Sequence, residues 1–197
     1  MMTSEKLSDI TPSQTVGPYF KYGLTPGTAY QWNDAFSNNL VTPDANGERI
    51  RIEGQVFDGD GVPIVDSMLE IWQADGHGKF ADQTKVTSPN TAFRGFGRTG
   101  TDQTGTFAFD TVKPGQVADP DGKLQAPHIL LAVFARGMTM QCYSRIYFAD
   151  EAANATDPVL ALVPADRRDT LIARKQGNAY RFDVHLQGDR ETVFFDV

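Results

Sequence analysis

Nitrogen and sulfur donors are scarce in this chain: His77, His128 and His185 are its histidines, and Cys142 is its one cysteine. A metal site built on imidazole or thiolate would have to gather almost all of them. The segment Gln125-Ala126-Pro127-His128-Ile129-Leu130-Leu131-Ala132-Val133-Phe134-Ala135-Arg136 opens an apolar run on a single histidine. A working site would need several donors there, so the segment reads as a metal-binding strand stripped of most of its ligands. Other chemistries leave no mark: there is no phosphate loop, no His-x-x-x-His pair and no Gly-x-Ser-x-Gly elbow. Asp119 and Asp121 fall in a Pro/Gly/Asp turn and read as a solvated loop. Cys142 excludes an intramolecular disulfide framework and reads as a small buried hydrophobe.

The elements that would position these residues are strands. Short β-branched and aromatic segments recur between Gly/Asp turns: 49–57 runs to Asp58-Gly59-Asp60-Gly61, 67–73 to Asp75-Gly76-His77-Gly78, and 106–109 follows Asp102-Gln103-Thr104-Gly105. Residues 129–135 are apolar at every position, which predicts a central strand covered on both faces, with 141–148 as its neighbour. Tyr180, Phe182, Val184 and Leu186 alternate with polar residues, predicting one half-buried strand, and 191–197 supplies a last one. Short helices are expected over 150–154 and 164–171, interrupted by Pro158. Together these readings predict an all-β, two-sheet β-sandwich over 46–197 with short helical excursions. Residues 1–45, with Pro12, Pro18, Pro26 and Pro43, read as an extended arm over the core or a partner.

With 197 residues the chain is long enough for one sizeable core. Its 18 Lys and Arg against 25 Asp and Glu leave a formal charge of −7, which excludes bulk attraction to nucleic acid. The cluster of Arg167, Arg168, Arg174 and Lys175 reads as a solvated face. No window approaches the roughly 20 apolar residues of a membrane span, and the first residues lack the basic and apolar stretches of a signal peptide. A cytoplasmic protein without membrane or nucleic-acid partners is the expectation.

Taken together, 11–19 (Thr-Pro-Ser-Gln-Thr-Val-Gly-Pro-Tyr), Glu70-Ile71-Trp72-Gln73-Ala74-Asp75, Gly97-Arg98-Thr99, Val112-Lys113-Pro114-Gly115, Ala126-Pro127-His128-Ile129, Phe134-Ala135-Arg136-Gly137 and 191–196 resemble an intradiol ring-cleavage dioxygenase over nearly the whole chain. The resemblance implies a heteromer in which a homologous beta chain holds ferric iron through two tyrosines and two histidines. It also implies a catechol-type substrate and O2, with no iron in this chain. At the four ligand positions this chain has Phe80, Val117, His128 and Leu130. Phenyl and alkyl groups cannot replace phenolate or imidazole donors, so one donor remains of four. The resemblance further implies that Thr15, Gly17, Pro18, Tyr19 and Arg136 shape the neighbouring substrate pocket. Gly17 would allow close approach, Pro18 would fix the backbone, Tyr19 would pack beside or hydrogen-bond the ligand, and Arg136 would offset a substrate carboxylate.

Overall fold

Ile50, Ile52 and Val56 alternate with polar side chains, and Arg49–Phe57 accordingly forms strand β1 with its apolar face buried. The computed structural model describes residues 15, 17, 23–25, 37–82 and 93–196. Ten further strands follow: β2 (Met68–Trp72), β3 (Phe96–Gly100), β4 (Thr106–Val112), β5 (Val117–Ala118), β6 (Leu124–Gln125), β7 (His128–Phe134), β8 (Cys142–Phe148), β9 (Ile172–Gln176), β10 (Ala179–Arg181) and β11 (Val184–His185). β5 and β6 form a separate hairpin; the rest make one sheet in which β4 and β3 are the two ends. It runs from β4 through β1, with β10 and β11 along the other edge of β1, to β9, β8, β7, β2 and β3.

That sheet folds over itself, so that Ile50, Ile52, Phe107 and Phe109 of β1 and β4 share a core with Leu69, Ile71, Ile129, Leu131 and Ile146 of β2, β7 and β8. The arrangement is the expected all-β sandwich, nearly closed into a barrel. Each fully buried aliphatic or phenyl side chain in it contributes about 1.5–3 kcal/mol. Residues 37–40 close the gap between the ends. Arg98 N–H of β3 donates to Ser37 O at 3.0 Å, while Leu40 N–H donates to Asp110 O of β4 at 2.8 Å. β3 carries Gly97 because Leu40 lies against it: a Cβ there would sit 2.5 Å from Leu40 Cδ1.

The turns form as their aspartates predict. Asp58, Asp75 and Asp102 each accept two backbone N–H groups through Oδ1, from the second and fourth residues onward, at 2.7–3.0 Å. At the far end of the sandwich Lys113 Nζ lies 5.3 Å from the Phe148 ring and 5.6 Å from that of Tyr180, and pairs with Asp150 and Glu151. Burial opposes its charge, yet the hydrogen bonds to Glu151 and Asp150 raise it above the usual lysine range. Burial likewise works against the Asp150 anion, but Lys175, Lys113 and Tyr180 hold it down at about 2.

Four expectations are corrected. The alternating segment 180–187 is not one strand: β10 and β11 are separated where Phe182 crosses Gly54 of β1, whose absent Cβ would lie 1.7 Å from Phe182 O. Residues 191–196 form only a single bridge, Tyr143 to Phe195. The helical excursions are the 3-10 turns Ala152–Thr156, Leu160–Leu162 and Arg168–Leu171, because Pro158 and Pro164 interrupt the backbone hydrogen bonding. Cys142 is half-buried, with its thiol pushed up by burial and by Glu191.

Candidate functional site

β7 is fully buried on one face, while its other face is buried at His128 and opens from Leu130 onward, contrary to the expectation from its apolar run. Ile129, Leu131 and Val133 enter the core, while Leu130 is 36% exposed on the opposite face. The pleat and the register build that outer face in two rows. One row reads Phe96, Trp72, Leu130, Arg145 across β3, β2, β7 and β8; the next reads Arg98, Glu70, Ala132, Tyr143. A cavity of about 570 Å³ opens over them, bordered also by Phe195 and Asp196. Ala132 is the smallest side chain of the second row and leaves the space that its neighbours enclose.

Strand register and a few side-chain contacts surround the four positions at which the resemblance places iron ligands, Phe80, Val117, His128 and Leu130. Phe80 stacks on Trp72 with centroids 6.2 Å apart and planes at 8°. Trp72 faces Leu130 and Leu130 faces Arg145. Arg145 Nη1 donates to Gln125 Oε1 at 2.6 Å, and Gln125 is the hairpin partner of Val117. His128 stands opposite Tyr147 on β8. Gly78 sets the Phe80 loop against the Val117 hairpin: it has φ +74°, and a Cβ would lie 2.0 Å from Gln116 O. The chemistry of these positions does not fit ferric iron, because Phe80, Val117 and Leu130 carry no donor atom in their side chains. Among the described residues no group of three His, Cys, Asp or Glu side chains could hold a metal ion.

His128 is buried, and its Nδ1–H donates to Ala126 O at 2.8 Å, which leaves Nε2 as the unprotonated nitrogen. Burial, reinforced by the Arg145 charge, lowers its pKa to about 4. Burial also raises the Tyr147 phenol, so both rings are neutral at pH 7. The Tyr147 hydroxyl donates to Asp157 Oδ1 at 3.0 Å.

Asp157 is a site residue that the sequence reading missed. It is 1% exposed and accepts backbone N–H groups from Ala126, Val159 and Leu160 at 2.7, 2.9 and 2.6 Å. The available signal was Asp157-Pro158 ahead of an apolar pair, a pattern that favours carboxylate capping of a turn.

Arg136 follows β7 in a loop and is 62% exposed in its side chain. Its Nε–H donates to Asp66 Oδ2 at 2.6 Å, and Nη2 contacts the same oxygen. Thr15 and Gly17 are exposed, and a Cβ on Gly17 would meet no atom within 4 Å. Pro18 and Tyr19 lie outside the described residues. The structure engages Arg136 with Asp66 rather than joining it to Thr15 or Gly17.

A family model described as Dioxygenase matches residues 16–188. The protocatechuate 3,4-dioxygenase alpha chain of Burkholderia cepacia is 49% identical over 197 residues, covering 95% of this chain and 97% of that one. The beta chain of the same enzyme from that organism is 33% identical over 172 residues, covering 79% and 72%. Among solved structures, the dioxygenase domain of a carbohydrate-binding fusion protein from Streptomyces sp. SirexAA-E superposes with a TM-score of 0.60 at 25% identity, covering 91% of this chain and 99% of that one.

Proposed function

The chain belongs to the intradiol ring-cleaving dioxygenase family, and we propose that within it this protein is the alpha chain of a protocatechuate 3,4-dioxygenase. In this reading a homologous beta chain holds ferric iron, and the heteromer cleaves 3,4-dihydroxybenzoate with O2 between its hydroxyl-bearing carbons to 3-carboxy-cis,cis-muconate. The observation that carries it is the loss of donor atoms at Phe80, Val117 and Leu130 in a chain more similar to an alpha chain than to the corresponding beta chain. This chain's own residues bind and orient. Arg136 offers the guanidinium edge not taken by Asp66 to a substrate carboxylate. Gly17 and Pro18 form a closely approaching wall, and Tyr19 packs beside the ring.

Residues 1–45 act in this reading as an arm on core or partner, and the heteromer is cytoplasmic. Among the described residues no helix is long and apolar enough to cross a membrane.

Purified alone, this chain is expected to be iron-free and inactive, and the complex co-expressed with its beta partner to carry iron and oxygen-dependent activity. Stoichiometric iron and ring cleavage by this chain alone would overturn the proposal. Arg136→Ala in the heteromer is expected to raise KM for 3,4-dihydroxybenzoate about 10-fold, equivalent to about 1.4 kcal/mol, with little change for catechol. A second reading, an assembly partner that never touches substrate, is favoured by the existing Arg136–Asp66 pair. It predicts unchanged KM for both substrates.

A further inference from the structure

Asn46-Gly47 is the one Asn-Gly pair of the sequence, and it lies exposed in the loop that leads into β1. The fold dictates the glycine. Gly47 has φ +131°, and a Cβ there would lie 3.0 Å from Gly76 Cα and 3.1 Å from Lys113 O. The reciprocal Cβ on Gly76 would lie 2.5 Å from Gly47 Cα, so the two glycines let this loop and the turn at Gly76 touch backbone to backbone. One hydrogen bond clamps the contact: Gly76 N–H donates to Asn46 O at 2.7 Å.

That contact leaves a reactive pair of groups unused. Neither the Asn46 side-chain amide nor the Gly47 N–H has a hydrogen-bond partner among the described residues. An exposed asparagine amide is among the thermolabile groups of a protein, and the missing Cβ of Gly47 leaves its nitrogen open to the amide carbon. The other described asparagines differ. Asn38 and Asn154 donate through Nδ2 to Ala108 O and Phe148 O, and Asn39 Oδ1 accepts from Val41 N–H. Asn178 is exposed but precedes Ala179, whose Cβ hinders approach to the backbone nitrogen.

We propose that Asn46-Gly47 is a self-modification site, converting through a cyclic imide to aspartate and isoaspartate, and that isoaspartate there releases the turn at Gly76. The deprotonated Gly47 nitrogen attacks Asn46 Cγ; that N–C bond forms, the Cγ–Nδ2 bond breaks, and Nδ2 leaves as ammonia. Water then opens the imide at either carbonyl. Opening at Cγ gives aspartate, whereas opening at the α-carbonyl gives isoaspartate, whose main chain runs through Cβ and Cγ. Nothing is oxidised or reduced, and solvent is the co-reactant. Either product adds a negative charge to the formal −7. Isoaspartate alone also lengthens the main chain by one carbon and turns the carbonyl that held Gly76 N–H into a pendant carboxylate. This site goes beyond the ring-cleavage reading and does not depend on it.

The test incubates the full chain at mildly basic pH and follows it by peptide mapping with electron-transfer fragmentation, which separates aspartate from isoaspartate. Conversion is expected at position 46 ahead of Asn178, at a rate that rises in proportion to hydroxide. Asn46→Gln, which would have to close a larger and slower-forming imide ring, should lose it. Hydrogen exchange at the Gly76 amide should be faster in the isoaspartate fraction than in the unmodified chain. Asn46→Asp adds the charge without the extra main-chain carbon and should keep that amide protected. Conversion at position 46 that is absent, no faster than at Asn178, or undiminished in Asn46→Gln would overturn the site. Unchanged Gly76 exchange in the isoaspartate fraction would overturn the release of the turn. Thermal melts establish that both variants are folded.

Discussion

Lowering the pH from 7 to 4 is expected to remove about 3 kcal/mol of folding stability through His128 alone. The folded imidazole has its pKa lowered from 6.5 to about 4 by burial, with Arg145 adding to the effect. The unfolded chain therefore binds a proton that the folded chain refuses across that interval. Stability is fully present above the unfolded value of 6.5 and falls as the pH drops towards the folded value near 4. The Ala126 carbonyl and the Asp157 carboxylate favour the charged ring but do not outweigh burial. Urea unfolding of wild-type and His128→Gln chains across this range measures it. The difference in stability between them should shrink or invert by about 3 kcal/mol on acidification; parallel pH profiles would show that His128 does not titrate as described.

Asp157→Ala should lower stability by about 4 kcal/mol, or the melting temperature by about 10 °C. The carboxylate is 1% exposed and satisfies the N–H groups of Ala126, Val159 and Leu160 together with the Tyr147 hydroxyl. Truncation leaves several donors in a dry environment, and that desolvation dominates over the loss of contacts. The affected cluster joins Ala126, Tyr147, Leu160, Val163 and Leu171 to the strand carrying His128. Asp157→Asn, which keeps an acceptor oxygen, should cost less. Asp119→Ala, in an exposed turn, should cost less again; equal melting temperatures for Asp157→Ala and Asp119→Ala would contradict the account.

Strands β1, β2, β4, β7 and β8 were legible because each carries a period-two or wholly apolar run between aspartate turns. β3 and β9 were not read as strands. Gly97 and Gly100 weaken the β3 signal, and glycine is present where Leu40 closes on the sheet edge. β9, Ile172–Gln176, has a charged exposed end and is a strand because β8 and β10 pair with it. The break at Gly54 was equally hidden, since it depends on Phe182 meeting a residue more than a hundred positions away.

The sequence by itself determined the donor chemistry. Phe80, Val117 and Leu130 bring no nitrogen, oxygen or sulfur in their side chains, and no fold can supply what the covalent structure lacks. Only the tertiary structure decided that Leu130 faces an open cavity, that Arg145 beside it donates to Gln125, and that Asp66 takes one edge of Arg136. Those facts follow from strand register and from pairings between residues far apart in the chain, where a shift of one position would turn every side chain to the opposite face.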